Sequence, residues 1–164
     1  MRNIKMTRKA TQNDLQFVHS LYMHPFVNPH LLYENIDLEQ FKPIYEDLLN
    51  DGVKYIFEEN DSPVGMFKLI QLKHRCSHIA YIGGLAIHPD FVGKGLGLQM
   101  MQEIIELGKR NNLLRLELSV GSENFQAQKL YKKAGFVEEG IFRKYTHLAR
   151  EGRFLDEVMM AYLL

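Results

Sequence analysis

Gly93, Gly95 and Gly97 stand at alternate positions in Val92-Gly93-Lys94-Gly95-Leu96-Gly97, after an apolar run and before a long amphipathic one. Strand, glycine turn, helix is an arrangement that binds phosphate. The turn exposes backbone N–H groups, the helix dipole favours an anion, and the missing Cβ atoms let a pyrophosphate come close. A dinucleotide fingerprint needs a glycine where Leu98 stands, and a P-loop needs its lysine after the turn, whereas Lys94 lies inside it. A plain strand-to-helix turn has no use for three glycines, which weaken a helix start. A phosphate ligand held by backbone amides is the expectation.

A second group lies downstream. Asn124 and Tyr131 are seven residues apart on a segment that Gly135-Phe136 closes, and Glu117 and Ser119 share one face of the strand before it. On its own, Tyr131 reads as a core aromatic of an amphipathic helix beside Phe125, Leu130 and Ala134. On its own, Glu117 reads as a strand carboxylate paired with a neighbouring cation. The seven histidines show no metal-ligand spacing. Cys76 is the one cysteine, which excludes both an internal disulfide and every Cys-based zinc pattern. No metal is expected.

These residues need elements to position them. Ile4, Met6 and Arg8 alternate as a short first strand. Thr11 to Asp14 resembles a capping box, and Leu15, Val18 and Tyr22 follow at helical spacing until Pro25 and Pro29. Asp37 caps a second helix with the stripe Leu38, Phe41, Ile44, Tyr45, Leu48 and Leu49. Residues 53–57 and 64–72 form a hairpin around the turn residues Asn60 to Pro63. Ile79 to Ile87 is a continuous apolar run, as in a strand buried on both faces. Leu98 to Arg110 is a helix. Leu114, Leu116 and Leu118 alternate with Arg115, Glu117 and Ser119 in a fifth strand. Asn124 to Ala134 is a helix, and strands near 136–148 and 154–163 end the chain. The order β α α β β β α β α β β gives an α/β fold: a mixed, mostly antiparallel sheet with a central parallel β–α–β unit.

The 164 residues fit one domain, with no repeat or linker. The chain is 46% hydrophobic and 24% charged, which excludes a disordered or fibrous chain. Twenty Lys and Arg balance twenty Asp and Glu, so no basic excess points to nucleic acid. No apolar run reaches membrane-spanning length and no signal-peptide core precedes the first strand; a soluble cytoplasmic protein with no membrane partner is the simplest reading.

Leu85 to Gly97 resembles the acetyl-CoA loop, Q/R-x-x-G-x-G/A, of the GCN5-related N-acetyltransferases (the GNAT superfamily). Gly95 and Gly97 match, while Val92 replaces the usual Gln or Arg. Asn124-Phe-Gln-Ala-Gln-Lys-Leu-Tyr-Lys-Lys-Ala-Gly-Phe136 is similar to the family's N-x-x-A-x-x-L-Y-x-x-x-G-F. The order of the motifs and of the elements is the family's along nearly the whole chain. The C-terminal stretch, Gly140 to Arg143 through Asp156 to Met159, resembles the ribosomal-protein and spermidine N-acetyltransferase branch.

The resemblance implies direct transfer of an acetyl group from acetyl-CoA to a primary amine in a ternary complex. An amine of pKa about 10.4 must lose protons near neutral pH, and the thiolate must gain one. By resemblance, Leu85, Ala86 and Ile87 pair their backbone with the pantetheine arm. Val92, Gly93, Lys94, Gly95, Leu96, Gly97 and Leu98 hold the pyrophosphate, Asn124 contacts the arm, and Tyr131 protonates the thiolate. Some relatives carry a glutamate five residues before the motif asparagine. Here that position is Ser119, and Glu117 is the first candidate base beside Ser119 or an ordered water. Arg143 and Asp156 are expected to pair across the last hairpin. The acceptor is a small-molecule or protein amine, its contacts falling in Pro25 to Leu49, where Tyr33, Glu34, Asp37 and Glu39 suit a cation or an exposed helix equally. A non-catalytic CoA sensor is the competing reading, and a homodimer stays open.

Overall fold

The computed structural model describes residues 5–164. Among the described residues, seven strands and four α-helices follow in the order β1 (Lys5–Lys9), α1 (Leu15–Tyr22), α2 (Leu38–Asn50), β2 (Lys54–Glu59), β3 (Ser62–Gln71), β4 (Ile79–Ile87), α3 (Leu96–Arg110), β5 (Arg115–Gly121), α4 (Phe125–Lys133), β6 (Val137–Leu148) and β7 (Arg153–Leu163). The expected order is found, with Ile4 outside the described residues. Hydrogen bonding orders the strands β1-β2-β3-β4-β5-β7-β6 in a mixed, mostly antiparallel sheet. The parallel pair is β4–β5, joined at Ile79–Arg115, Ala80–Leu116 and Tyr81–Glu117. It is parallel because α3 carries the chain back between the two strands.

The chain forms two compact units. One comprises the described residues up to Ile70 together with Ile82–Glu103; the other comprises Gln71–Tyr81 and Ile104–Leu164.

In the first unit, Val18, Leu21 and Tyr22 of α1 and Phe41, Tyr45 and Leu48 of α2 are buried against Ile56, Met66 and Ala86. Local signals set the ends of these helices. The Asp37 carboxylate accepts the Gln40 N–H at 2.8 Å, and the Gln40 side chain accepts the Asp37 N–H. The Asp14 carboxylate accepts the Thr11 N–H at 2.8 Å and also takes two bonds from the Arg8 guanidinium, each 2.8 Å. Arg8 Nε donates to Glu58 at 2.7 Å, so one guanidinium serves two buried carboxylates. Burial pushes the Asp14 pKa up, but the bonds from Arg8 and Thr11 outweigh it and hold it below the usual range. Asn60 and Asp61, at φ +51° and +60°, make the β2–β3 turn, a conformation these two residue types tolerate.

Beneath α1 the strands hold a feature the hydrophobic pattern hides. Lys54 and Lys68 are cross-strand partners and both are buried. Lys54 Nζ donates to the Tyr22 hydroxyl at 3.0 Å, and Lys68 Nζ lies 5.6 Å from the centre of the Tyr33 ring. Burial first, and then the neighbouring Lys68 charge, lowers the Lys54 pKa well below that of a free lysine. Gly84 of β4 faces the same cluster at φ +52°, where a Cβ would stand 2.4 Å from the Tyr22 hydroxyl. A glycine is required there on both counts.

In the second unit, Leu116, Leu118 and Val120 of β5 are buried and alternate with half-buried Arg115, Glu117 and Ser119. Leu114 precedes the strand and is exposed rather than part of the stripe. β5 pairs antiparallel with β7, and β7 with β6. The expected Arg143–Asp156 pair does not form: the Asp156 carboxylate accepts the Lys144 backbone N–H at 2.7 Å, where β6 shifts register and Lys144 turns to φ +51°. Cys76 sits free and exposed between β3 and β4.

Candidate active site

The glycine turn belongs to the first unit. β4 ends in Leu85-Ala86-Ile87, with Ala86 buried and its neighbours half-buried. The His88 N–H donates to Val64 O at 2.8 Å, and Pro89–Phe91 form a short 3₁₀ turn. The chain then passes Val92, Gly93, Lys94 and Gly95, all exposed. Gly93 and Gly95 take φ +85° and +76°. No atom lies within 4 Å of a Cβ built at Gly93, and at Gly95 only Gln99 Nε2 does, at 3.9 Å. The outer side of the turn is open backbone.

α3 begins at Leu96, two residues before the expected Leu98, and Leu96 is anchored in the core at 1% exposure. Gly97 and Leu98 therefore lie in its first turn, where N–H groups have no intrahelical acceptor. These amides, the exposed Lys94 and the helix dipole suit a pyrophosphate. The residues present fit the diphosphate of a CoA thioester.

The second unit holds the other candidates. Asn124 caps α4, its side-chain oxygen accepting the Ala127 N–H at 3.2 Å. This leaves its amide nitrogen to donate elsewhere. Tyr131 is 8% exposed. Burial, and then the neighbouring Tyr81, raises the Tyr131 pKa, so the phenol stays protonated near neutral pH and can give a proton but not take one as phenolate.

Glu117 is half-buried and accepts from Arg115 Nε at 2.9 Å, while the rest of the Arg115 guanidinium grips Glu139 of β6. It occupies the ion-paired role that strand spacing allows. Ser119 differs. Its hydroxyl donates to the Glu157 carboxylate of β7, and Tyr81 Oη lies 2.9 Å from the same Ser119 Oγ. Thr146 of β6 donates to the other Glu157 oxygen. Burial raises the Tyr81 pKa, partly offset by the bond to Ser119.

The structure thus gathers Leu85, Ala86, Ile87 and Val92 to Leu98 in one unit, and Glu117, Asn124 and Tyr131 in the other. Sequence reasoning missed Tyr81 and Glu157. Tyr81 lies in an apolar run that reads as core. Glu157 is diagonal to Ser119, since β7 pairs Met159 with Ser119 and Glu157 with Gly121. Only strand register reveals that neighbour. Among the described residues no group of three His, Cys, Asp or Glu is placed to hold a metal, and no helix is long and apolar enough to cross a membrane.

The model of the Acetyltransferase (GNAT) family matches residues 15–136. A spermidine N(1)-acetyltransferase of Vibrio cholerae is 28% identical over 176 residues, covering 99% of this chain and 94% of that protein. The crystal structure of the Vibrio cholerae spermidine N-acetyltransferase with CoA and spermine superposes with a TM-score of 0.84 at 23% identity, covering 97% and 95% of the two chains. A ribosomal-protein-alanine N-acetyltransferase from Brucella melitensis gives 0.80 at 22% identity, covering 97% and 99%.

Proposed function

The chain belongs to the acetyltransferase (GNAT) family, as an N-acetyltransferase whose donor is acetyl-CoA, and on that footing we propose that it moves the acetyl group directly to a primary amine in a ternary complex. The whole chain serves as a single acetyl-CoA-binding domain. The turn Val92 to Leu98 holds the diphosphate through backbone amides, Leu85 to Ile87 receive the pantetheine arm along the strand, and Asn124 contacts that arm. Bound acetyl-CoA supplies the activated acyl carbon. Tyr131 gives its proton to the departing sulfur.

The observation that carries this reading is the open glycine turn before α3, where Gly93 and Gly95 stand at φ +85° and +76° and nothing lies within 4 Å of a Cβ built at Gly93. Tyr131 is protonated near neutral pH and can give its proton to the sulfur as charge develops there, one of the protons the amine loses replacing it. Of the two β5 positions for the amine's proton, Glu117 is engaged by Arg115. The acceptor is a small-molecule or protein amine. The polyamine named for the Vibrio cholerae relative is one member of that class.

Thermal unfolding with acetyl-CoA, CoA, ATP and NAD in parallel tests the cofactor assignment. A ligand at about 100 times its Kd stabilises by about 2.7 kcal/mol, which in a domain of this size raises Tm by roughly 5–11 °C. The rise is expected with acetyl-CoA and CoA and absent with the other two. Initial-rate patterns over a panel of amines test direct transfer: intersecting double-reciprocal lines are expected, and parallel lines would establish an acetyl-enzyme instead.

A further inference from the structure

Ser119 of β5 brings no carboxylate of its own, yet one is bonded to it, supplied by another strand. We propose that Glu157 is the end of a proton relay that drains the acceptor's ammonium through the hydroxyls of Tyr81 and Ser119. This rests on the amine-acetylation reading above and names the groups that deprotonate the amine.

The direction of the bonds is forced by their number. Ser119 has one hydroxyl hydrogen and gives it to a Glu157 carboxylate oxygen. Tyr81 must then donate to Ser119 Oγ across the 2.9 Å between them. Thr146 donates to the second Glu157 oxygen and fixes the carboxylate from the β6 side. Every hydrogen in the chain points toward Glu157, and the lone pairs of Tyr81 Oη are left to accept a proton.

The step balances. The ammonium N–H bond breaks and its proton goes to Tyr81 Oη. The Tyr81 proton passes to Ser119 Oγ and the Ser119 proton to Glu157, leaving a neutral amine and a carboxylic acid. The nitrogen lone pair then forms the C–N bond as the C–S bond breaks. Of the two protons the ammonium loses overall, one replaces the proton that Tyr131 gives to sulfur and the other leaves through half-buried Glu157 to water.

The titratable groups that act on this cluster are Tyr131 of α4, Tyr145 of β6 and Glu157 of β7, all interacting with Tyr81. On the β5 side Glu117 is paired with Arg115, and on β7 Asp156 is held by the Lys144 amide.

The experiment compares wild type with Glu157→Gln, Ser119→Ala and Tyr81→Phe. It measures kcat and KM from about pH 6 to 10 with a polyamine, an amino acid and a peptide α-amine as acceptors, with acetyl-CoA thermal shift on every variant. Each variant is expected to lose about 10²-fold in kcat at pH 7, keep its KM for acetyl-CoA, and recover toward wild type near pH 10, where the acceptor amine is neutral unaided. The double variant Glu157→Gln/Ser119→Ala is expected to be no worse than either single. A deficit that is constant across pH, or Tyr81→Phe with wild-type rates, overturns the relay and leaves the cluster structural. If Glu157→Gln does not fold, the two hydroxyl variants decide by the same profile. Wild type that binds acetyl-CoA but acetylates no amine overturns the amine-transfer reading and the relay together. An active wild type with unaffected variants overturns the relay alone.

Discussion

Tyr22→Phe isolates one hydroxyl in the most unusual part of the core. The ring stays, and with it the packing against Phe41 and Tyr33. What disappears is the oxygen that accepts from Lys54 Nζ at 3.0 Å, where Lys54 is 1% and Tyr22 0% exposed. A buried donor stripped of its partner costs about 1–3 kcal/mol, so Tm is expected to fall by roughly 2–12 °C. Lys54→Met added to Tyr22→Phe removes the stranded amine as well and is expected to restore most of the loss, because replacing both partners by apolar groups is nearly neutral. The signature is a coupling of about 1–3 kcal/mol between the two sites.

Stability against pH gives an independent readout. The native pKa of Lys54 lies well below its unfolded value of 10.5, through burial first and the Lys68 charge second. Between those two values the unfolded chain holds a proton that the native state lacks, so stability rises with pH up to about 10.5 and falls as pH drops through the window. One such group contributes a slope of up to about 1.4 kcal/mol per pH unit, and Lys68, also lowered, adds in the same direction. Urea unfolding at several pH values between about 7 and 9.5 measures it. Lys54→Met is expected to flatten the slope by up to one proton's worth. Additive effects of the two substitutions, or a Lys54→Met slope equal to wild type, would refute the placement of a buried amine with a lowered pKa beside Tyr22.

Gly84→Ala places a methyl 2.4 Å from the Tyr22 hydroxyl at φ +52°, and is expected to lower stability by about 2–4 kcal/mol in thermal unfolding; Tyr22→Phe in the same chain removes the nearest clash and recovers part of it. Arg8→Leu leaves Asp14 and Glu58 buried without their guanidinium and is expected to cost about 2–4 kcal/mol by urea titration at pH 7. Because the native Asp14 pKa is depressed, its stabilisation is present above the unfolded value of 3.8 and is lost as pH falls through the native one; acid unfolding of Arg8→Leu is accordingly expected to be shallower than wild type below about pH 5. Tyr131→Phe is expected to lower kcat by about 10²–10⁴-fold with little change in acetyl-CoA KM, and unchanged kcat would remove Tyr131 from the proton traffic.

Local chemistry was legible in the sequence and long-range pairing was not. The glycines of the turn, the Asp37 cap, the Asn60-Asp61 bend and the Asn124-to-Phe136 helix are written in contiguous residues whose backbone requirements are local. Counting back from Asn124 leads to Ser119 on β5, but the carboxylate hydrogen-bonded to it lies 38 residues later on β7 and enters only through sheet register. Glu117 satisfied the spacing as well as Ser119 did; its guanidinium partners, drawn from β5 and β6, separate the two. Lys54 read as a polar position in a strand of β-formers. Its burial follows from α1 and α2 closing over that face with Tyr22 and Phe41, a fact of helix packing that strand periodicity does not contain.

Cys76 has a practical consequence for enzymology. Any colorimetric thiol reagent used to follow CoA release will meet one accessible protein sulfhydryl per chain, a fixed stoichiometric background that scales with enzyme and not with turnover. Its amplitude reports the concentration of chains in each preparation. The same uniqueness makes the position a single attachment point for a fluorophore or spin label, set in the β3–β4 connection away from the glycine turn in sequence.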